Sequence, residues 1–236
     1  MARDIEKIKR ELMGLANEEI AAHSSRFFKT GPGQYGEGDR FLGIRVPKLR
    51  KIALKYRDLA LPSAVTLLHS PYHEVRLTAL LILVESYGRG DAEIQKEIYE
   101  LYLENSRYIN NWDLVDVSAP HIVGHYLEHR DRAILYTLAA SDNLWERRIS
   151  IIATFHFIRN DSFAETIRIA EILRNDEHDL LHKAVGWMLR EVGNRDLDLE
   201  IGFLDKYYQQ LPRTMLRYAI ERFPESLRQA FLKGTR

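Results

Sequence analysis

The chain has 236 residues and is 45% hydrophobic, which suits one large domain or two small ones and is too apolar for a disordered chain. Its 34 basic residues balance 34 acidic ones, so net charge selects no partner and only the distribution of charge can. Cysteine is absent, which excludes a disulfide scaffold, a Cys nucleophile and a thiolate-bound zinc or iron–sulfur site.

The N-terminal stretch "MARDIEKIKRELMGLANEEI" mixes charge with apolar residues at helical spacing and lacks the apolar core of a secretory signal. No apolar run approaches the ~18 residues of a membrane span. A soluble cytoplasmic protein is expected. "KTGPGQYGEGDRFLGIRVP" is the longest stretch without helical periodicity. Its glycines are not followed by the Lys-Ser or Lys-Thr of a phosphate-binding loop, so it reads as a connection. The segment from Arg40 to Arg57 carries seven Lys or Arg, among them Arg45, Lys48, Arg50 and Lys51, and no acid. "YHEVRLTALLILVESY" then repeats apolar residues at three-to-four spacing up to Gly88. "NLWERRISIIATFHFI" does the same behind Ser141 and Asp142 as N-cap candidates, and "LLHKAVGWMLREVGN" is predicted to stop at Gly193. No stretch alternates long enough for a sheet, so an all-α protein is expected.

"VRLTA", "RRISI", "HKAVG" and "LRYAI" each set a cation before small or apolar residues: Arg76, Arg148, Lys183 and Arg217. The last three recur at nearly one spacing, and the gap back to Arg76 is about two of these. Such a period indicates HEAT-like helix pairs in an α-solenoid whose equivalent faces line a concave groove. The expected organisation is one domain over 1–236, with N-terminal helices and the glycine-rich loop over 1–40 and repeats over 41–236. With Arg147, Arg148, Lys183, Arg190, Arg213 and Arg217, the 40–57 segment would form a basic stripe able to neutralise DNA phosphates. Ordinary solvated helix faces are the alternative.

The missing repeat falls within "NNWDLVDVSAP", where Trp112, Asp113 and Asp116 stand in place of a cation. Trp112 and Asp116 are four apart and share a helical face. A carboxylate beside an indole suits a reaction that develops positive charge, such as cleavage of an N-glycosidic bond through an oxocarbenium-like state. A structural reading stands beside it: Asp113 as N-cap, Asp116 in the first turn and Trp112 in the core. Trp145, with Ile149 and Ile152 on its face, reads as core. His121, His125 and His129 are four apart, yet no third ligand or HExxH glutamate accompanies them, so structural histidines are expected and no metal is assigned.

"FLGIRVPKLRK", "WDLVD", "SDNLWERR" and "KAVGWMLRE", in this order, resemble the AlkD-like family of bacterial DNA alkylation repair glycosylases from about residue 40 to 220. The resemblance implies a HEAT-like solenoid gripping duplex DNA in its concave face and excising N3- and N7-alkylated purines without metal or organic cofactor. It implies Asp116 as catalytic carboxylate, Trp112 and Trp187 against the lesion nucleotide, and Arg148 holding DNA near the reaction centre. Asp113 would support the site, as a cap. Arg45, Lys48, Arg50, Lys51, Arg147, Lys183, Arg190 and Arg217 would contact DNA. Asn111 departs from members with a second aromatic before the Trp, and the glycine-rich loop is longer than in some. The expected activity is that of a monomeric, monofunctional alkylpurine glycosylase. The alternatives are a non-catalytic DNA-structure-binding relative and a protein-interaction scaffold.

Overall fold

Ile8 and Leu12, one turn apart and fully buried, define the inner face of the first helix, α1 (Ala2–Met13). The computed structural model describes residues 2–236, all-α with no strand among the described residues, and its helical repeats are of the solenoid type. Two compact units divide the chain, Met1–Ile122 and Val123–Arg236.

In the first unit α2 (Glu18–Phe27) starts at Asn17, whose side-chain oxygen accepts the Ile20 amide at 2.9 Å. Pro47 and Pro62 stand in the first turns of α3 (Val46–Lys55) and α4 (Leu61–Leu68), where a missing N–H costs nothing. Both helices pack on α5 (His73–Arg89), which is buried around nearly its whole circumference over His73–Leu83. α6 (Ala92–Glu104) and α7 (Trp112–Asp116) also pack on α5. The glycine-rich connection is tied down at its end. The amides of Leu42, Gly43 and Ile44 all donate to the buried Glu74 carboxylate, at 2.8, 2.7 and 3.2 Å. Gly43 takes φ +78°, and a Cβ there would lie 2.1 Å from the Asn17 carbonyl oxygen. The glycine of "FLGI" thus wraps backbone donors around an internal anion.

The second unit comprises α8 (Ala133–Ala139), α9 (Leu144–Ala153), α10 (Phe155–Arg159), α11 (Ala164–Leu173), α12 (Asp179–Gly193), α13 (Leu197–Tyr207), α14 (Arg213–Ala219) and α15 (Glu225–Lys233). α12 is central and packs on α9, α11, α13 and α14. Gly186 brings α14 close: a Cβ there would lie 2.4 Å from the Met215 carbonyl oxygen. The N-cap of α9 is Asn143, not Ser141 or Asp142. Those two close the preceding turn: the Ser141 hydroxyl accepts the Asn143 amide, and both carbonyls accept from Arg147.

Gly193 is the last residue of α12, and its conformation stays right-handed; Asn194 is the cap. Its smallness admits Glu200, since a Cβ would fall 1.7 Å from Glu200 Oε2. Glu200 is 1% exposed and its Oε1 has no hydrogen-bond partner. Burial pushes its carboxyl up to about 9, against a smaller opposing pull from Arg190. A folded-state value above the unfolded one means stability is full below about 4.5 and is lost as pH rises through about 9. Glu200→Gln is expected to flatten that loss and to stabilise the fold by roughly 2 kcal/mol at pH 8. Urea unfolding of both proteins at pH 5 and pH 8 checks it; equal pH slopes would show that Glu200 is solvated.

Candidate active site

α7 has only five residues, too few to hold its own shape, so its neighbours place it. Leu114 and Val115 are fully buried, leaving Trp112, Asp113 and Asp116 half-buried on the other side. The N-cap is Asn111, whose side-chain oxygen accepts the Trp112 amide at 2.9 Å. Asp113 is therefore not the cap. Its Oδ1 accepts the Leu114 amide and its Oδ2 lies 2.8 Å from His73 Nε2.

His73 is 2% exposed and reaches a second carboxylate, Asp39 Oδ2, through Nδ1 at 2.9 Å. Asp39, within the glycine-rich loop, also accepts from Arg76 Nη2 at 2.9 Å. Burial disfavours the charged ring, but the charges and hydrogen bonds of Asp113 and Asp39 outweigh it and raise His73 to about 9. For Asp39, burial raises the carboxyl, and its bonds and charge contacts with His73 and Arg76 more than offset this, leaving it below the ordinary range.

Trp112 ends a run of stacked rings. It stacks on Phe28 at 5.3 Å, Phe28 on Phe41 at 5.0 Å, and Phe41 on His73 at 4.6 Å. Phe27, 57% exposed, meets the Trp112 edge. One face of the indole expected to meet a lesion is thus covered from within. At the other end of α7, buried Tyr102 shares a hydrogen bond with Ser118 at 3.0 Å. Burial raises the phenol's pKa; the Ser118 bond opposes this and the Asp116 charge adds to it. A cavity of about 840 Å³ opens beside α7, lined by Phe28, Phe41, His73, Asp113 and Arg45 among others; Trp112 and Asp116 do not line it. Arg45, the N-cap of α3, and Lys48, Arg50 and Lys51 along it are all exposed, and its Leu49, Ile52 and Ala53 face inward.

In the second unit the cations are more engaged. Arg147 spends its guanidinium on Asp176 at 2.7 Å and on the Ser141 and Asp142 carbonyls. Arg148 is 4% exposed and donates to the Leu180 carbonyl at 2.6 Å. Lys183 pairs with Asp179, and Arg190 with Glu221 and Glu191. Arg217 is exposed. Trp187 is half-buried, donates Nε1–H to Glu191 at 3.0 Å and tilts against Phe155, whereas Trp145 is core at 8% exposure. Among the described residues no group of three or more His, Asp or Glu is placed to hold a metal, and no helix is long and apolar enough to cross a membrane. His125 packs its ring on His156, which pairs with Glu128.

Helix register settles which positions are equivalent. Asp116, Arg148, Lys183 and Arg217 are each the fifth residue after the N-cap of their helix, at Asn111, Asn143, His178 and Pro212. Arg76 is the fourth after Tyr72, so it does not belong with them. It is the counterpart of Arg147: Arg76 donates to the Ser70 carbonyl and to Asp39 as Arg147 does to the Ser141 carbonyl and Asp176. Arg76 is a buried clasp and not a groove cation. Sequence reasoning missed His73, Asp39, Phe28, Phe41 and Tyr102. The one available signal was a cluster of ionisable residues, His73, Glu74 and Arg76, in the first turn of a helix whose residues from Leu77 to Val84 are uncharged and mostly apolar.

The family model described as "DNA alkylation repair enzyme" matches residues 8–223. No curated protein matches the sequence. Among solved structures, a predicted DNA alkylation repair enzyme from Enterococcus faecalis superposes with TM-score 0.69 at 16% identity, over 89% of this chain and 97% of the other. AlkD2 from Streptococcus mutans superposes with TM-score 0.56 at 17% identity, over 91% and 98%. At those identities the likeness is one of fold.

Proposed function

Because the chain belongs to the DNA alkylation repair enzyme family, we propose that it is a monofunctional glycosylase for cationic N3- and N7-alkylated purines in duplex DNA. The observation that carries this reading is Asp116, a carboxylate standing at the register where the later helices carry Arg148, Lys183 and Arg217. A carboxylate at such a position answers a reacting cation better than a phosphate. As the C1′–N bond breaks, its electron pair neutralises the departing base and positive charge moves onto the sugar. Asp116 stabilises that charge while water forms the new C1′–O bond and loses a proton. The lesion is already cationic and leaves readily, so no metal or cofactor is required.

Trp112 and Trp187 supply indole surface for the damaged nucleotide. Arg45, Lys48, Arg50 and Lys51, exposed at the start of α3 and along it, supply phosphate contacts, with Arg217 and the paired Lys183 and Arg190. That exposed basic helix favours DNA over a protein-interaction scaffold. Arg148 and Arg147 act by holding backbone carbonyls in place. The protein acts as a cytoplasmic monomer.

A second reading, duplex binding without base release, draws on the covered face of Trp112 and the internal engagement of Arg148. Release of 3-methyladenine and 7-methylguanine from methylated duplex DNA separates the two. The glycosylase reading expects both free bases, an abasic product and no borohydride-trapped adduct. Salt-sensitive binding without release supports the second reading instead.

A further inference from the structure

We propose that His73 is a positioning residue for base hydrolysis: clasped between Asp39 of the glycine-rich loop and Asp113 of α7, it holds Trp112 and Asp116 in their working places. The inference rests on the glycosylase reading and adds to it a residue outside the sequence motifs.

Two independent couplings run from this ring to α7. One is direct, His73 Nε2 to Asp113 Oδ2 at 2.8 Å, on the same five-residue helix as Asp116. The other passes through the stacked rings of Phe41 and Phe28 to the face of Trp112. A helix this short has little stiffness of its own, so its orientation follows its anchors. The opposite end is held by Ser118 against Tyr102. His73 is the anchor at the start.

With both ring nitrogens facing carboxylates, the clasp is complete only when the ring carries both protons. Deprotonation turns one of the two hydrogen bonds into a contact between a lone pair and a carboxylate. The groups around the ring are Asp39 with Arg76 behind it, Asp113, and the apolar faces of Phe28 and Phe41. Glu19, His23, Arg45 and Glu74 line the same cavity, with Glu74 turned to the Leu42–Ile44 amides. The two carboxylates raise the ring to about 9 against the cost of burial, so the clasp is closed at neutral pH and opens as pH rises through that value.

The test uses the full chain and two readouts. Amide hydrogen exchange across residues 110–118, corrected for the intrinsic pH dependence of exchange, reads the clasp without reference to activity. Single-turnover release of 7-methylguanine, with duplex affinity measured separately, reads its effect on chemistry. In the wild type, protection of 110–118 and the release rate should fall together between pH 8 and 10. Asp39→Asn removes one anion, so both midpoints should move to lower pH. The neutral-pH rate should drop about tenfold while affinity for undamaged duplex changes less than about twofold. The wild-type series needs no substitution, so a misfolded variant does not remove the test. Exchange that ignores pH across that range overturns the clasp. An alkaline limb unmoved in a folded Asp39→Asn, or rate and affinity falling equally, overturns the positioning role. If the wild type releases no base while exchange responds as described, the glycosylase reading has failed; the clasp stands and its role in hydrolysis falls.

Discussion

Asp116→Asn is expected to lower single-turnover release of 3-methyladenine and 7-methylguanine by about 10²- to 10³-fold with little change in duplex affinity. The substitution keeps the shape of the side chain and removes its charge. Asp116 is half-buried on α7. A charge in that setting is screened less than on an open surface and acts more strongly on a developing oxocarbenium ion. Binding should survive because the exposed cations of α3 are untouched. Fold should survive because α7 is held by Asn111, Asp113 and Ser118. Measuring rate and affinity on one preparation separates the outcomes: equal activity in both proteins would mean that the catalytic carboxylate is another residue. Asp113, which faces the cavity, is then the one to substitute next.

Glu74→Ala is expected to be the most destabilising single substitution in the first unit, by about 3–5 kcal/mol. The Glu74 carboxylate is 3% exposed and takes the amides of Leu42, Gly43 and Ile44. Removing it leaves three backbone donors without their acceptor. Replacement by Gln keeps one acceptor oxygen but brings an NH₂ against donors, so it should recover only part of the loss. Chemical denaturation of the three proteins checks the order wild type, Gln, Ala. Because the nest ends the glycine-rich loop that carries Asp39, the Ala variant should also lose protection around residues 29–45 before global unfolding. A loss below about 1 kcal/mol would mean that water replaces the carboxylate.

Local pattern alone determined a good deal of this protein. Helical spacing in "YHEVRLTALLILVESY" and "LLHKAVGWMLREVGN" marked α5 and α12, the two central helices, because burying an apolar stripe constrains residues three and four apart wherever the helix lies. The spacing of Arg148, Lys183 and Arg217 carried the repeat, since each helix begins the same distance before them, whereas Arg76, counted with them, falls one position out of register. Family motifs singled out "WDLVD", whose Trp112, Asp113 and Asp116 stand half-buried on α7.

What pattern left undecided depended on partners distant in the chain. Asp113 looked like a cap because Asp commonly caps helices; only folding brings His73, forty residues earlier, to its Oδ2. Arg76 looked like a groove cation because a lone basic residue at a regular interval carries no mark of burial. It closes on Asp39 and the Ser70 carbonyl. The glycines of "FLGI" and "KAVG" carry no reason in the sequence itself. Their reasons are a carbonyl of Asn17 and a carbonyl of Met215 pressed against the space a methyl would fill. Periodicity records which side of a helix is apolar. The identity of the group that meets a buried charge is set by packing across the fold, and that is a property of tertiary structure alone.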